Sequence, residues 1–319
     1  MAHGTQLLTP RMAGLLQRIE RARRTPFHAM TPVQARASYE QAAEVLDLPR
    51  APVKRVEDLE LPGAGGVPLR ARLYADAGGE RPALLYLHGG GFVVGSLETH
   101  DSLCRQLARR SGGAVVALDY RLAPEHRFPT AVDDAWSALN ALIERGRPLG
   151  LDTSRIAVGG DSAGGTLAAV CALLARDRDL PIGLQLLITP GTVGHGETAS
   201  HRLFANGFLL DVATIDWFFE QYLAHAHRND WRFAPMYVDD VDGVAPACVI
   251  LAECDPVVDE GLTYADRLRA SGIPVDLHLF RGVTHDFIKM GRVLGEAAQA
   301  MDAAAAALKQ AWAAQRGAR

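Results

Sequence analysis

Short apolar runs recur through most of the chain, at Ala83–Leu87, Ala114–Asp119, Arg155–Gly159, Leu184–Ile188, Ala247–Ala252 and Val275–Phe280. Runs of this length predict strands buried on both faces. Between most of them the apolar residues return at helical spacing: Thr99–Arg110, Thr130–Arg145, Gly165–Arg176 and Glu260–Ser271. The alternation predicts an α/β fold with a mostly parallel central sheet flanked by helices. Val53–Leu61 and Val67–Tyr74 predict two further strands around the turn-rich PGAGG of Pro62–Gly66. Leu7–Leu48 predicts helices, with Thr31 as an N-cap, Pro32 at the first helical position and Glu40 further in. The alanine-rich Ala297–Ala314 predicts a last helix.

One stretch breaks the rhythm. Between Thr189 and Ala245 there is no clear strand, only loops and a helix near Val212–Leu223. An insertion of that length within an α/β domain acts as a lid or a binding wall. The expected organisation is therefore a core of residues 51–190 and 236–319, with a helical cap from residues 1–50 and 191–235. No internal repeat or low-complexity linker interrupts this plan.

The chain has 319 residues, 48% hydrophobic and 22% charged, which excludes a disordered protein and is ample for a large core. A net charge of −4 gives no attraction for nucleic acid or an anionic membrane. The basic run Arg18–Arg24 reads as a solvated helix face. Cys104, Cys171, Cys248 and Cys254 form no C-x-x-C and sit among apolar neighbours, as buried free thiols of a reducing compartment do. No charged segment leads into an apolar stretch at the start, and no run of about eighteen apolar residues occurs. The expectation is a cytoplasmic protein without stable membrane insertion.

The candidate chemistry begins at Gly160-Asp161-Ser162-Ala163-Gly164, a G-x-S-x-G between the strand RIAVGG and the helix GGTLAAVCALLAR. A serine on such a strand-to-helix turn has its hydroxyl pushed out at the sheet's edge, and the flanking glycines avoid collisions with the neighbouring backbone. The helix that follows aims its N-terminal amides at the same place. A second motif, His88-Gly89-Gly90-Gly91-Phe92, follows the strand ALLYLH. A glycine-rich loop lets backbone N–H groups approach a substrate oxyanion closely, and its partner donor is the N–H of Ala163, after the serine. A phosphate loop is the rival reading and ranks far below, because neither G-x-G-x-x-G nor a G-K-[ST] ending is present.

Nucleophilic serine chemistry also needs a base and an orienting acid, in the order Ser, Asp, His. Asp255 stands just beyond the strand in VILAECDPVVDEG, whereas Asp259 and Glu260 fall inside the next helix, as surface charges or first-turn dipole partners do. His285 follows the last strand in RGVTHDF; His278 alternates within that strand and reads as structural. His225 and His227 lack a third ligand at suitable spacing and read as cap-surface residues, so no metal site is expected. Lys54, Lys289 and Lys309 all lack a serine three positions earlier, which removes the Ser–Lys class.

Five blocks in order, LYLHGGGFVVGS, DYRLAPEHRFPTAVDDA, VGGDSAGG, ANGFLLDVATIDWFFEQYL and AECDPVVDEG, resemble bacterial hormone-sensitive-lipase-like esterases of the GDSAG type, also called family IV. The resemblance spans nearly the whole chain. It implies an α/β-hydrolase fold with a helical cap, and a serine carboxylesterase with Ser162 as nucleophile, Asp255 as acid and His285 as base. It implies Gly90, Gly91 and Ala163 as oxyanion amides, supported by His88, Gly89, Gly160, Asp161 and Gly164. It further implies short- to medium-chain esters as small-molecule substrates, no cofactor, and homodimers in many members.

Two departures stand out. Asp286 follows the histidine where the family usually has Gly, and Thr189-Pro190-Gly191 follows the strand LQLLI where it typically has Tyr-Pro. Some relatives keep the fold, lose the histidine and bind ligand without turnover; here Ser162, Asp255 and His285 are all present. An amidase or deacetylase on the same three residues is the remaining alternative, because the leaving group is set by pocket shape.

Overall fold

The computed structural model describes residues 4–317. Two helices lead the chain, α1 (Pro10–Arg21) and α2 (Pro32–Leu46). The signals that start α2 act as read: Thr31 Oγ1 accepts from Gln34 N at 3.3 Å, and Gln34 Oε1 accepts from Thr31 N at 3.0 Å. This reciprocal pair satisfies two of the amides that a helix start leaves open. The helices differ in burial. α1 sinks Met12 and Leu15 into the core, whereas α2 buries only Ala35 fully.

Eight strands follow: β1 (Arg55–Pro62), β2 (Pro68–Ala75), β3 (Arg81–Leu87), β4 (Ala114–Leu118), β5 (Leu151–Asp161), β6 (Ile182–Ile188), β7 (Ala247–Cys254) and β8 (Val275–Thr284). They form one sheet in the order β1-β2-β4-β3-β5-β6-β7-β8. β1 and β2 pair antiparallel, as do β2 and β4; every later pairing is parallel. The remaining helices are α3 (Leu97–Ser111), α4 (Thr130–Arg145), α5 (Ala163–Arg176), α6 (Ala199–Leu203), α7 (Val212–Tyr222), α8 (Val258–Ala270) and α9 (Gly295–Gly317).

Helices cover both faces of the sheet's central strands, which explains their unbroken apolar runs. The edge strand β8 departs from the reading, half-exposed through Val275–Phe280 because it has a neighbour on one side only. Along β3, Leu84 and Tyr86 join a core with Leu103, Leu107, Met301 and Leu308 of α3 and α9. Leu85 and Leu87 join the opposite core with Leu139, Leu167 and Leu268 of α4, α5 and α8. Each such leucine contributes about 2 kcal/mol by leaving water. The four cysteines are buried and free, and Arg18, Glu20, Arg21, Arg23 and Arg24 are exposed. No helix among the described residues is long and apolar enough to cross a membrane.

Several strands run further than the apolar pattern, β5 and β8 among them. β5 extends to Asp161, which pairs with Ile188. β8 continues through Arg281 and Gly282 to Thr284, with the ladder shifting register between Ala252 and Cys254. The polar interruption hid this extension, which delivers the residue after Thr284 to the sheet's C-terminal edge. The inserted segment holds α6 as well as α7, and no strand.

Candidate active site

Ser162, Asp255 and His285 each follow a parallel strand directly, after β5, β7 and β8. They therefore share one edge of the sheet, the carboxyl edge at which open α/β sheets bind ligands. Ser162 has φ 53° and ψ −122°, a strained conformation for a residue with a side chain. Its N–H donates to Ile188 O at 2.8 Å and its carbonyl accepts from Thr166 N at 3.0 Å, so strand and helix hold the turn from both sides.

Neighbouring glycines have a measurable reason. A β-carbon on Gly160 would lie 2.2 Å from Leu87 O, and one on Gly164 only 1.9 Å from it. The turn thus rests directly on the end of β3, where the H-G-G-G loop begins. In that loop Gly90 has φ 121° and Gly91 φ 58°, left-handed backbone that glycine adopts without penalty. Among the described residues, the amides of Gly90, Gly91 and Ala163 donate to no acceptor within the chain.

Asp161 joins the two motifs. Its buried carboxylate accepts from Tyr86 OH at 2.6 Å, from Gly89 N at 3.2 Å and from His100 Nε2 at 3.1 Å. Burial opposes its charge, but His100 and these bonds outweigh it and hold the carboxyl below its usual range. His88 is buried against Tyr120, ring centroids 4.3 Å apart, and its Nδ1 lies 2.9 Å from Gly89 O. Burial holds that imidazole neutral, its pKa lowered to about 3.

His285 and Asp255 form a buried pair, Nδ1 to Oδ2 at 2.7 Å, while Asp255 Oδ1 accepts from Val257 N at 3.0 Å. Burial lowers the imidazole's pKa; Asp255 first, then Asp286 and Asp161, more than reverse this and raise it to about 9. No hydrogen bond joins Ser162 Oγ to the ring. Such contacts commonly close only once substrate is present.

A cavity of about 70 Å³ opens beside Ser162, with Gly91, Ile215, Phe218 and Val257 among its walls and Glu260 and His201 as its polar side. Glu260 corrects the surface reading. It is 3% exposed, and its Oε1 accepts from Thr192 N at 2.5 Å and Val193 N at 3.3 Å. The loop after Thr189-Pro190-Gly191 folds back over α8 and covers that carboxyl. Burial lifts its pKa to about 8 and lowers that of His201, 3.5 Å away.

Asp259 instead accepts from Ser200 N at 2.8 Å, tying α8 to α6. His225 and His227 are exposed, as read. The one metal-sized group among the described residues, Cys248, Asp276 and His278 within 4.8 Å, lies at the first residues of β7 and β8, the sheet edge opposite Ser162. Sequence reading missed His100, Tyr39 and Lys289. Only His100 carried a signal, standing with Leu97 and Cys104 on one face of α3.

Residues 84–289 match the family model described as alpha/beta hydrolase fold. The ethyl acetate hydrolase of Pseudomonas putida is 41% identical over 95% of this chain and 99% of its own. The carboxylic ester hydrolase LipN of Mycobacterium tuberculosis is 41% identical over 87% of this chain and 76% of its own. An α/β-hydrolase enzyme from the metagenome of Lake Arreo, Spain, superposes with a TM-score of 0.93 at 36% identity, covering 97% of this chain and 99% of that one. A hyperthermophilic esterase of the archaeon Pyrobaculum calidifontis does so with a TM-score of 0.90 at 38% identity, over 95% and 98%. The chain belongs to the α/β-hydrolase superfamily and, within it, to the hormone-sensitive-lipase-like, family IV carboxylic ester hydrolases.

Proposed function

We propose that this protein hydrolyses short- to medium-chain carboxylic esters, with Ser162 as nucleophile, His285 as general base and Asp255 as the acid that orients it. The observation that carries the reading is the buried 2.7 Å Asp255–His285 pair on the same sheet edge as a strained serine flanked by uncommitted amides. Asp255 accepts the Nδ1 proton and so fixes the tautomer in which Nε2 is free to act. Nε2 takes the hydroxyl proton as Ser162 Oγ bonds to the ester carbonyl carbon. The amides of Gly90, Gly91 and Ala163 hold the negative charge that moves to the carbonyl oxygen. When the C–O bond to the alcohol breaks, the same proton leaves with that oxygen. Water repeats the sequence on the acyl-serine, releasing the carboxylic acid and free enzyme.

The helical cap is proposed to comprise residues 1–50 with residues 191–235, α1 anchoring it through Met12 and Leu15 in the core. A homodimer is the proposed assembly. Two measurements test the function. Ser162→Ala should lower kcat by about 10⁴–10⁶-fold without loss of fold, and an ester should be cleaved far faster than its matching anilide. A serine-directed phosphonate that labels another residue while Ser162→Ala stays active rejects the site, and faster anilide cleavage makes the protein an amidase.

A further inference from the structure

The proposed base has a carboxylate on each side. Opposite Asp255, Asp286 Oδ1 lies 4.0 Å from His285 Nε2, and that oxygen is buried with no hydrogen-bond partner. Among the described residues no other carboxylate comes as near to Nε2. The second oxygen, Oδ2, is engaged: Tyr39 OH donates to it at 3.1 Å. Lys289 Nζ in turn donates to Tyr39 OH at 2.5 Å, stands 3.9 Å from Oδ2 and lies over the tyrosine ring, 4.3 Å from its centroid. Asp286 also has φ 60°, the left-handed region that the family's usual glycine occupies freely. Its side chain therefore costs backbone strain at a place where none is needed for the turn itself.

Given His285 as the base, we propose that Asp286 is a positioning residue that stabilises the protonated ring through Nε2, and that Tyr39 sets how closely the carboxylate approaches. Nε2 is the atom that must accept the serine proton, so any negative charge on its side favours the imidazolium over the working base. The tyrosine hydroxyl keeps Oδ2 occupied and holds Oδ1 just outside hydrogen-bonding range. Asp286 thus acts on the ring by charge without capturing its proton in a bond. Other charged groups surround His285: Asp255 from the end of β7, Asp161 from the end of β5, Glu260 from α8 and Lys289 from the following turn. Asp286 and Lys289 are both coupled to α2, through the hydroxyl of Tyr39, 247 and 250 positions away in the chain, and of the two only Asp286 brings negative charge to Nε2.

The test is the pH profile of kcat/KM on a soluble p-nitrophenyl ester for wild type, Asp286→Asn, Asp286→Gly, Tyr39→Phe and the Tyr39→Phe/Asp286→Asn pair. Both Asp286 variants should move the acid midpoint down by about half a pH unit or more, roughly threefold more activity on the acid side. Asp286→Gly meets no conformational penalty at φ 60°, so its effect is free of misfolding. Tyr39→Phe keeps the ring packed on Phe27 but removes the donor that holds Oδ2, so the carboxylate can close the 4.0 Å gap to Nε2, and should move the midpoint up. The pair should return to the midpoint of Asp286→Asn alone. Unmoved midpoints in the Asp286 variants overturn the inference, as do shifts of the same sign at Tyr39 and Asp286. A wild type with no acid limb rejects His285 as the base and this inference with it; a normal limb that the variants leave in place rejects this inference alone.

Discussion

The ring of Phe218, carried by α7, fills the space that a β-carbon on Gly91 would need, its Cγ 2.2 Å from that point. The ring of the inserted segment therefore packs directly on the backbone of the glycine loop. Gly91→Ala should displace one or both and move the amides off the developing oxyanion, lowering kcat by about 10²–10³-fold with a smaller change in KM. Adding Phe218→Ala removes the collision but leaves the strain at φ 58°, so only part of the rate should return. Steady-state kinetics on p-nitrophenyl acetate check this. A fully active Gly91→Ala would place the oxyanion elsewhere.

Asp255 and Asp259 are both carboxylates at the head of α8, but their partners differ. Asp255 holds His285 and Val257 N, whereas Asp259 holds the Ser200 amide. Asp255→Asn should cost about 10⁴-fold in kcat by leaving the imidazole in the wrong tautomer. Asp259→Asn should cost less than about tenfold, the scale of one weakened surface-side hydrogen bond. A larger loss at Asp259 than at Asp255, in folded protein, overturns the assignment.

Stability should fall on the alkaline side. Glu260 and His285 have folded-state pKa values raised from 4.5 to about 8 and from 6.5 to about 9. A group that binds its proton more tightly when folded contributes stability that is complete below its unfolded pKa and is lost as pH rises through the folded one. Between about pH 6.5 and 9 the wild-type Tm should decline; below that window His88, whose pKa burial lowers to about 3, works in the opposite sense. Glu260→Gln keeps a neutral acceptor for the Thr192 amide at every pH and should flatten the first part of that decline. Melting curves across the range decide it; parallel slopes in the two proteins count against a buried, proton-binding Glu260.

The cavity beside Ser162 limits the substrate. Each methylene buried there gains about 0.8 kcal/mol until the wall is met, a wall formed by Ile215, Phe218 and Val257 among others. A series of p-nitrophenyl esters from acetate to palmitate should give kcat/KM that peaks at short to medium chains, with no jump in rate at the substrate's solubility limit. Best activity on palmitate identifies a true lipase instead.

What could be read in advance was local. Ser162 announces itself because a strand, a tight turn and a helix must all be written within a few residues, and Thr31 because a capped helix start is a four-residue pattern. Asp255 and His285 follow from their places after strands. Glu260 does stand in the first turn of α8, as its helical spacing says, but its burial is invisible there because it comes from the loop at Thr192 and Val193, 68 and 67 residues away. Asp286 was visible as an odd neighbour of the histidine, but nothing nearby in the chain names Tyr39 as its partner. The ends of β5 and β8 were missed for a related reason: ladder bonds continue through polar residues that the apolar pattern leaves out.

The bond from Tyr39 to Asp286 has a consequence for how the protein comes to life. A chain made from its N-terminus presents α2 long before the loop that α2 must meet exists, and contacts of such sequence separation are among the slowest to form. Nascent or C-terminally truncated chains, lacking β8 and the histidine after it, should be inert rather than wrongly active. In refolding, esterase activity should return after the sheet and its helices have regained their circular dichroism, making hydrolysis the last property the molecule acquires.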